Sequence, residues 1–381
     1  MATINRELPT THEGAQAVEI SPYAALRRTV LSCMLWERGF YESGQEVAER
    51  IETLAAQCSN VAIAELAYEA RHEMHLRHVP LLLLCCLCKQ ARGKSLVSDT
   101  IEVVVTRADE ITELLALYWR KGKCPLSAQL KKGLARALAK FDAHQLAKYN
   151  RQTPVRLRDV LFLTHAKPSA DRQELYSDLA NKTLASPDTW EVALSAGADK
   201  CETFTRLLRE GKLGYLALLR NLRNMDEAGV DHTLVCHSIL QNTNGRKHVL
   251  PFRFIAAVRA APKFALALNT ALLSAIADLP VLEGRTVVLV DVSGSMDGKL
   301  SARSDLTRLD AGAALAALIN SQSLQVFTFS NALVEVPAWR GMPGVEAVAR
   351  SQPHQGTLLG QALRELGKVA QWDRLIVITD E

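Results

Sequence analysis

The sequence predicts a mainly α chain, an α-solenoid followed by a doubly wound α/β domain, and three observations carry that expectation. Residues 20 to about 280 present one amphipathic helical segment after another, with brief polar connections and almost no strand signal. From about residue 285 the pattern changes to short, continuous apolar runs rich in valine that alternate with helices, the mark of parallel strands buried on both faces. The chain has 381 residues, 48% hydrophobic and 23% charged, which is an ordinary globular mixture with room for two domains. The division falls at a helical domain 1–284 and an α/β domain 285–381.

The helical segments run in order over Ala24–Glu37, Gln45–Ala56, Val61–His72, Val79–Arg92, Ser98–Tyr118, Ser127–Phe141, Arg156–His165, Asp171–Leu184, Asp188–Ala196, Thr203–Glu210, Leu213–Met225, Val230–Ser238, Pro251–Ala260 and Lys263–Ala277. Ser127–Phe141 shows the logic. Leu130, Leu134, Leu138 and Phe141 fall on one face, while Lys132, Arg136 and Lys140 repeat every four residues on the other. Many short helices of this kind bury their apolar faces by stacking in pairs, which is the reason for expecting a solenoid. No strict repeat is present. In the second half, Thr286–Asp291, Leu324–Phe329 and Arg374–Thr379 read as strands and Leu306–Asn320 and Thr357–Gln371 as helices.

Several function classes are excluded. No apolar run is long enough to span a membrane, and the first twenty residues lack the apolar core of a secretory signal. The eight cysteines show no framework spacing, and Cys85, Cys86 and Cys88 crowd into one leucine-rich helix, so reduced thiols in a cytoplasmic protein are expected. Neither a P-loop nor a dinucleotide glycine motif occurs. His72, His75 and His78 lie at i, i+3, i+6 on a predicted helix, and a zinc site would need a fourth group, for which Glu69 and Glu73 are near. The region otherwise reads as a solenoid helix followed by Pro80, which is the preferred reading.

Charge is unevenly spread. The chain carries a formal +4, but Tyr118 to Arg172 holds 13 basic residues against Asp142, Asp159 and Asp171, a local +10. Solvated helices usually mix both signs, so this stretch is a candidate anion-binding face. Lys131, Lys132, Arg136, Lys140, Lys148, Arg151, Arg158, His165 and Lys167 are its candidate ligands. Thr153 and Pro154 are placed to cap and open the helix that carries Arg158 and His165 two turns apart.

A second candidate site lies where the predicted strands end, the usual ligand position of doubly wound sheets. Asp291-Val292-Ser293-Gly294-Ser295 follows the first strand, Thr379-Asp380 ends the last, and Gly356-Thr357 opens a helix between them. Two carboxylates and several hydroxyls form a hard, all-oxygen set suited to Mg²⁺ or Mn²⁺. Gly294 is read as permitting the tight turn. The pattern resembles the metal-ion-dependent adhesion site of von Willebrand factor A domains. By that resemblance Asp291, Ser293, Ser295, Thr357 and Asp380 are the metal residues, bound directly or through water, and the cofactor is a divalent cation, Mg²⁺.

The order of the two halves resembles the TROVE-domain proteins, the Ro autoantigen family and its bacterial relatives. Lys148-Tyr149, Phe162–Ser169 (FLTHAKPS), Leu218–Met225 (LLRNLRNM), Pro251-Phe252 and Val288–Met296 (VLVDVSGSM) carry the likeness. The resemblance implies a ring of HEAT-like repeats closed by the A domain, with small noncoding Y-type RNAs on its outer basic surface and ends of misfolded RNAs in its hole. It implies an exoribonuclease such as polynucleotide phosphorylase as a partner, and neither a membrane nor DNA. Lys148 and His165 match the family's RNA-contacting segment. The arginine expected after the lysine is displaced, with glutamine at position 152 and Arg151 beside it. The Arg-Asn pair within Leu219–Leu222 is read as structural. By the same likeness the A domain is incomplete at its C-terminus, leaving the last strand as an edge.

The leading expectation is therefore a non-enzymatic RNA-binding scaffold acting in RNA quality control as a ribonucleoprotein. Two other classes compete with it: a protein-binding adaptor that uses the metal site, and a metal-dependent phosphoryl-transfer enzyme with Asp291 as nucleophile. The latter fold usually needs a second acid two residues on, where Ser293 stands.

Overall fold

A computed structural model describes residues 20–33, 43–150, 153–242, 245–246, 249–300 and 306–380. Arg151, a candidate ligand above, lies outside the described residues, as does Gln152. The chain forms two compact units, residues 1–187 and 188–381. The change from helices to sheet occurs inside the second unit, at Leu282.

In the first unit, successive helices pack on their first and second neighbours in sequence, as a solenoid requires. Helix Ala128–Leu138 lies on Ser95–Val104 so closely that a Cβ on Gly133 would meet the Ile101 side chain at 2.8 Å. Leu130, Leu134 and Leu138 are fully buried there, as the leucine stripe predicts. The single helix expected over Ser98–Tyr118 is in fact two, Ser95–Val104 and Ala108–Tyr118. Glu110 causes the break: its carboxylate accepts the backbone N–H of Thr106 at 3.0 Å and of Arg107 at 3.1 Å, which starts a new helix. Arg71 pairs with the same buried carboxylate at 2.6 Å. The three histidines also do not share a helix. His72 lies in a π-helical turn, Glu69–Glu73, His75 has a positive φ of 54°, and His78 begins the next helix. His72 Nε2 lies 3.2 Å from the Val103 carbonyl, and among the described residues no group of three or more His, Cys, Asp or Glu is placed to hold a metal. A helix over Ala143–Tyr149, capped by Asp142, was not foreseen.

Among the described residues no cysteine is in a disulfide, and burial pushes the Cys86 thiol up to about 11 and the Cys88 thiol up to about 12. No helix among the described residues is long and apolar enough to cross a membrane.

The second unit begins with helices between Trp190 and Ala275 that again pack on near neighbours in sequence. Asn221 is buried and donates to the Ala217 carbonyl of its own helix at 2.9 Å, so its structural role is intrahelical. The sheet follows: β1 Leu282–Asp291, β2 Ser321–Phe329, β3 Leu333–Val336 and β4 Arg374–Ile378, in the order β3-β2-β1-β4. β1 is parallel to β2 and β4, while the short β3 runs antiparallel to β2 and occupies one edge. Neither β3 nor helix Met342–Ala349 was expected from the sequence, because four residues show too little alternation and Pro343-Gly344 masks the helix. Gly344 is required there, since a Cβ would overlap the Trp339 carbonyl.

Alternate residues of β1 face opposite layers. Val288 and Val290 pack with helices Arg308–Leu318 and Met342–Ala349, whereas Val287 and Leu289 pack with helix Leu359–Val369. Both faces are thus covered, as in a doubly wound sheet. Helix Phe252–Ala260 joins the first layer through Ile255. From the same helix Arg259 forks onto the buried Asp310 carboxylate, which also accepts the Thr307 backbone N–H at 2.8 Å. Asp310→Ala removes this partner together with the acid's half of the Thr307–Asp310 capping box. It should cost about 2–3 kcal/mol, less than a fully buried pair because Arg259 is half exposed. A thermal melt that does not fall would show the pair to be dispensable.

Candidate functional site

β1 is central and ends in Asp291, whose carboxylate is fully buried. One oxygen, Oδ1, accepts the Ser293 backbone N–H at 2.8 Å, and Oδ2 accepts the Thr379 hydroxyl at 2.7 Å. Ser293 is itself buried, and its Oγ lies 3.1 Å from Ser295 Oγ. Ser295 then donates to Asp380 Oδ1 at 3.0 Å, and Arg308 pairs with Asp380 Oδ2. Because β1 and β4 are adjacent and parallel, both carboxylates arrive at one end of the sheet. Asp291 and Ser293 form a buried floor, while Ser295 and Thr379 lie at an exposed rim.

Four of the five predicted metal residues, Asp291, Ser293, Ser295 and Asp380, are therefore joined in one hydrogen-bonded chain. Thr357 is exposed and precedes its helix, which starts at Leu359 rather than at Gly356. Its loop is nevertheless anchored against the site. Gly294 N–H donates to the Gln355 carbonyl at 2.9 Å, and Ser330 Oγ accepts the Gln355 N–H at 2.9 Å. Asn331 Oδ1 accepts the Gly356 N–H at 3.0 Å. Gly294 is not needed for an unusual turn. Its segment is a 3₁₀ turn, and a Cβ would sit in ordinary contact at 3.6 Å from the carbonyl oxygens of His354 and Gln355.

Sequence reasoning missed Arg308 as a member of this site. A signal existed: a basic residue at the first position of a helix opposes the helix dipole and needs an acid nearby. The role of Thr379 as a donor to Asp291 was also missed, although the Thr379-Asp380 pair had been marked. A further tie, from His354 Nδ1 to Asp297 Oδ1 at 2.9 Å, links the Thr357 loop to the turn after β1.

The basic stretch divides in two. Arg136 is paired with Asp99 at 2.7 Å and Glu102 at 3.2 Å. The Lys140 ammonium donates to the carbonyls of Glu102 and Val105 at the end of helix Ser95–Val104. Arg172 similarly donates to the carbonyls of Ala139 and Phe141, after helix Ala128–Leu138. Arg120 and Lys121 both meet Glu52 at 2.7 Å. These cations hold helix ends and neighbours together.

The other part faces outward. Lys132, Lys148, His165 and Lys167 are exposed, and Lys131 and Arg158 partly so. Two aromatic rings accompany them. The Arg158 guanidinium lies 5.4 Å from the Phe162 centroid, and the Lys148 ammonium 5.8 Å from that of Tyr149. Phe162 is 52% exposed. Helix Leu157–Thr164 starts later than expected. Asp159 accepts the Arg156 N–H at 2.9 Å to form the cap, while the Thr153 hydroxyl donates to the Val155 carbonyl. His165 does not continue the helix; it is the C-cap, in the left-handed conformation at φ 52°.

Two alanine substitutions separate the classes. Lys140→Ala should lower stability by about 1 kcal/mol through the lost bonds to helix-end carbonyls. Lys132→Ala should stay within about 0.5 kcal/mol of the parent. Equal melting temperatures for the two variants would show that Lys140 has no holding role.

Comparison with known proteins adds the following. Residues 180–277 match the TROVE domain. Telomerase protein component 1 of Mus musculus is 38% identical over 82 residues, 19% of this chain and 3% of that protein. Its Rattus norvegicus counterpart is 37% identical over 82 residues, with the same shares. The chain thus spans about 3% of the length of these curated relatives. The Deinococcus radiodurans RO (RSR) crystal structure aligns with a TM-score of 0.66 at 18% identity, over 94% of this chain and 86% of that one. The matched TROVE segment contains Leu218–Met225 and Pro251-Phe252, two of the stretches that carried the likeness in the sequence. The helices between residues 180 and 277 thus match a TROVE domain, and the chain over nearly its whole length has the fold of the Deinococcus radiodurans RO (RSR) protein.

Proposed function

We propose that this protein is a non-catalytic RNA-binding scaffold, taking small noncoding Y-type RNAs and ends of misfolded RNAs as part of a ribonucleoprotein in cytoplasmic RNA quality control. The observation that carries the reading is the outward part of the basic stretch, where the exposed Lys148 and the partly exposed Arg158 stand beside the aromatic rings of Tyr149 and Phe162. Cations bind phosphates irrespective of sequence, and a half-exposed ring offers a face on which an unpaired base stacks. Single-stranded or looped RNA matches both features better than a regular duplex, whose bases are already stacked. An exoribonuclease such as polynucleotide phosphorylase is the proposed protein partner.

The strand-end site is proposed to hold Mg²⁺ through Asp291, Ser293, Ser295, Thr357 and Asp380, directly or through water. The donor set fits: every group is oxygen, and the two acids lie at the ends of adjacent parallel strands. When bound, the ion would neutralise the paired carboxylates and present a coordination position to an acidic group of a partner. This chain's residues would hold and orient it. Phosphoryl transfer is disfavoured, since Ser293 occupies the place of a second acid.

Replacing Lys148, Arg158 and Lys167 together by alanine should weaken binding of a single-stranded RNA. It should also reduce the slope of log K against log salt by about 2–3, roughly one unit or slightly less per lost phosphate contact. Unchanged affinity and slope would place the RNA elsewhere. For the metal, a hundredfold excess of Mg²⁺ over its Kd should stabilise the fold by about 2.7 kcal/mol, and Asp291→Ala should abolish the gain. A melting temperature of the unaltered chain that ignores Mg²⁺ would refute the metal assignment.

A further inference from the structure

We infer that Arg308 is a built-in counter-charge of the strand-end site, which a divalent cation must displace from Asp380 in order to bind. The inference rests on the metal reading proposed above and goes beyond it. It assigns a cation of the protein itself to a position that the ion would share.

Arg308 is the first residue of helix Arg308–Leu318, directly after the N-cap Thr307. A positive side chain there opposes the partial positive charge of the helix N-terminus, so its placement calls for a compensating acid. The acid on its own helix, Asp310, is engaged by Arg259 and by the Thr307 N–H. The Arg308 guanidinium instead reaches across to Asp380 Oδ2. Its backbone is pinned as well, with its N–H donating to the Gly298 carbonyl at 2.9 Å, beside the turn that carries Ser293 and Ser295.

The two carboxylates are thus treated differently. Asp291 is held by neutral donors, a backbone N–H and the Thr379 hydroxyl. Asp380, whose side chain is 10% exposed, receives a full charge from Arg308 and a hydroxyl from Ser295. A divalent ion joining Asp291 and Asp380 would meet the guanidinium at close range. In a partly buried site such like-charge repulsion is weakly screened. Arg308 is 31% exposed, so its head has a route to solvent when it leaves. The site therefore exchanges one cation for another, with arginine balancing Asp380 in the metal-free state and weakening the affinity for the ion.

The test uses the full chain and Mg²⁺ alone, read by isothermal titration and by melting curves. Arg308→Ala should bind Mg²⁺ about tenfold more tightly, and its metal-free melting temperature should fall because the Asp380 carboxylate loses its counter-charge. Arg308→Gln removes the charge while keeping a hydrogen-bonding amide, and should show the same tightening if the alanine variant does not fold. Arg308→Lys retains the charge and should stay within about threefold of the parent. Parent and charge-removed variants binding Mg²⁺ equally, or the variants more weakly, would overturn the role of Arg308 and leave the metal reading intact. No Mg²⁺ binding by any of them would overturn both.

Discussion

Burial of the Asp291 carboxylate at the end of a strand covered on both faces is the constraint around which the second unit is arranged. Left without partners, a buried ionised acid costs several kcal/mol, so neighbouring segments must deliver donors to it. The residue two positions on supplies a backbone N–H, and the residue after β4 supplies a hydroxyl. Because β4 lies beside β1, the same arrangement brings in Asp380, and the two serines then link the acids. Strand order, loop conformation and the candidate metal ligands thus follow from one requirement. The requirement also explains why the site has a buried floor and an exposed rim.

In the first unit, helix ends impose a comparable demand. Each short helix leaves carbonyls without intrahelical partners, and a unit built of short helices has many such ends. Lys140 and Arg172 meet part of that demand. Their charges therefore count toward the fold before they count toward RNA. The net charge of the basic stretch overstates the available phosphate ligands, since Arg136, Arg120 and Lys121 are engaged by acids earlier in the chain. What remains outward is smaller and more specific, because it is mixed with aromatic rings.

The legible and illegible parts of the sequence divide along the range of the interactions. Leu130, Leu134 and Leu138 announce their helix because its period is local, and Val287–Val290 announce a strand buried on both faces for the same reason. The acids and serines of the strand-end site were readable because doubly wound sheets place strand ends together. The break at Thr106 was not readable, because it depends on which backbone groups Glu110 caps. Nor were the partners of Arg136 and Arg308, which lie 34 to 37 and 72 residues away in sequence. His165 shows the limit of helical spacing: the Arg158–His165 interval fits two turns, yet the chain enters a left-handed cap at His165.

Helix Arg308–Leu318 connects the two themes within the second unit. Its first turn bears Arg308, which holds Asp380 at the strand ends, and Asp310, which holds Arg259 of the helical layer. The two charged contacts are two residues apart on one rigid element, and the Thr307–Asp310 capping box fixes their spacing. Displacing the Arg308 side chain separates a cation at this helix terminus from the acid that balances it. Asp310 stays buried with Arg259, so the helix remains anchored to the helical layer while its strand-end contact changes. A cation entering the site would therefore alter the rim, where Ser295, Thr357 and Thr379 are exposed, without loosening the join between helices and sheet. On the proposed metal reading, that separation would let one surface serve as a docking position while the scaffold behind it keeps its form.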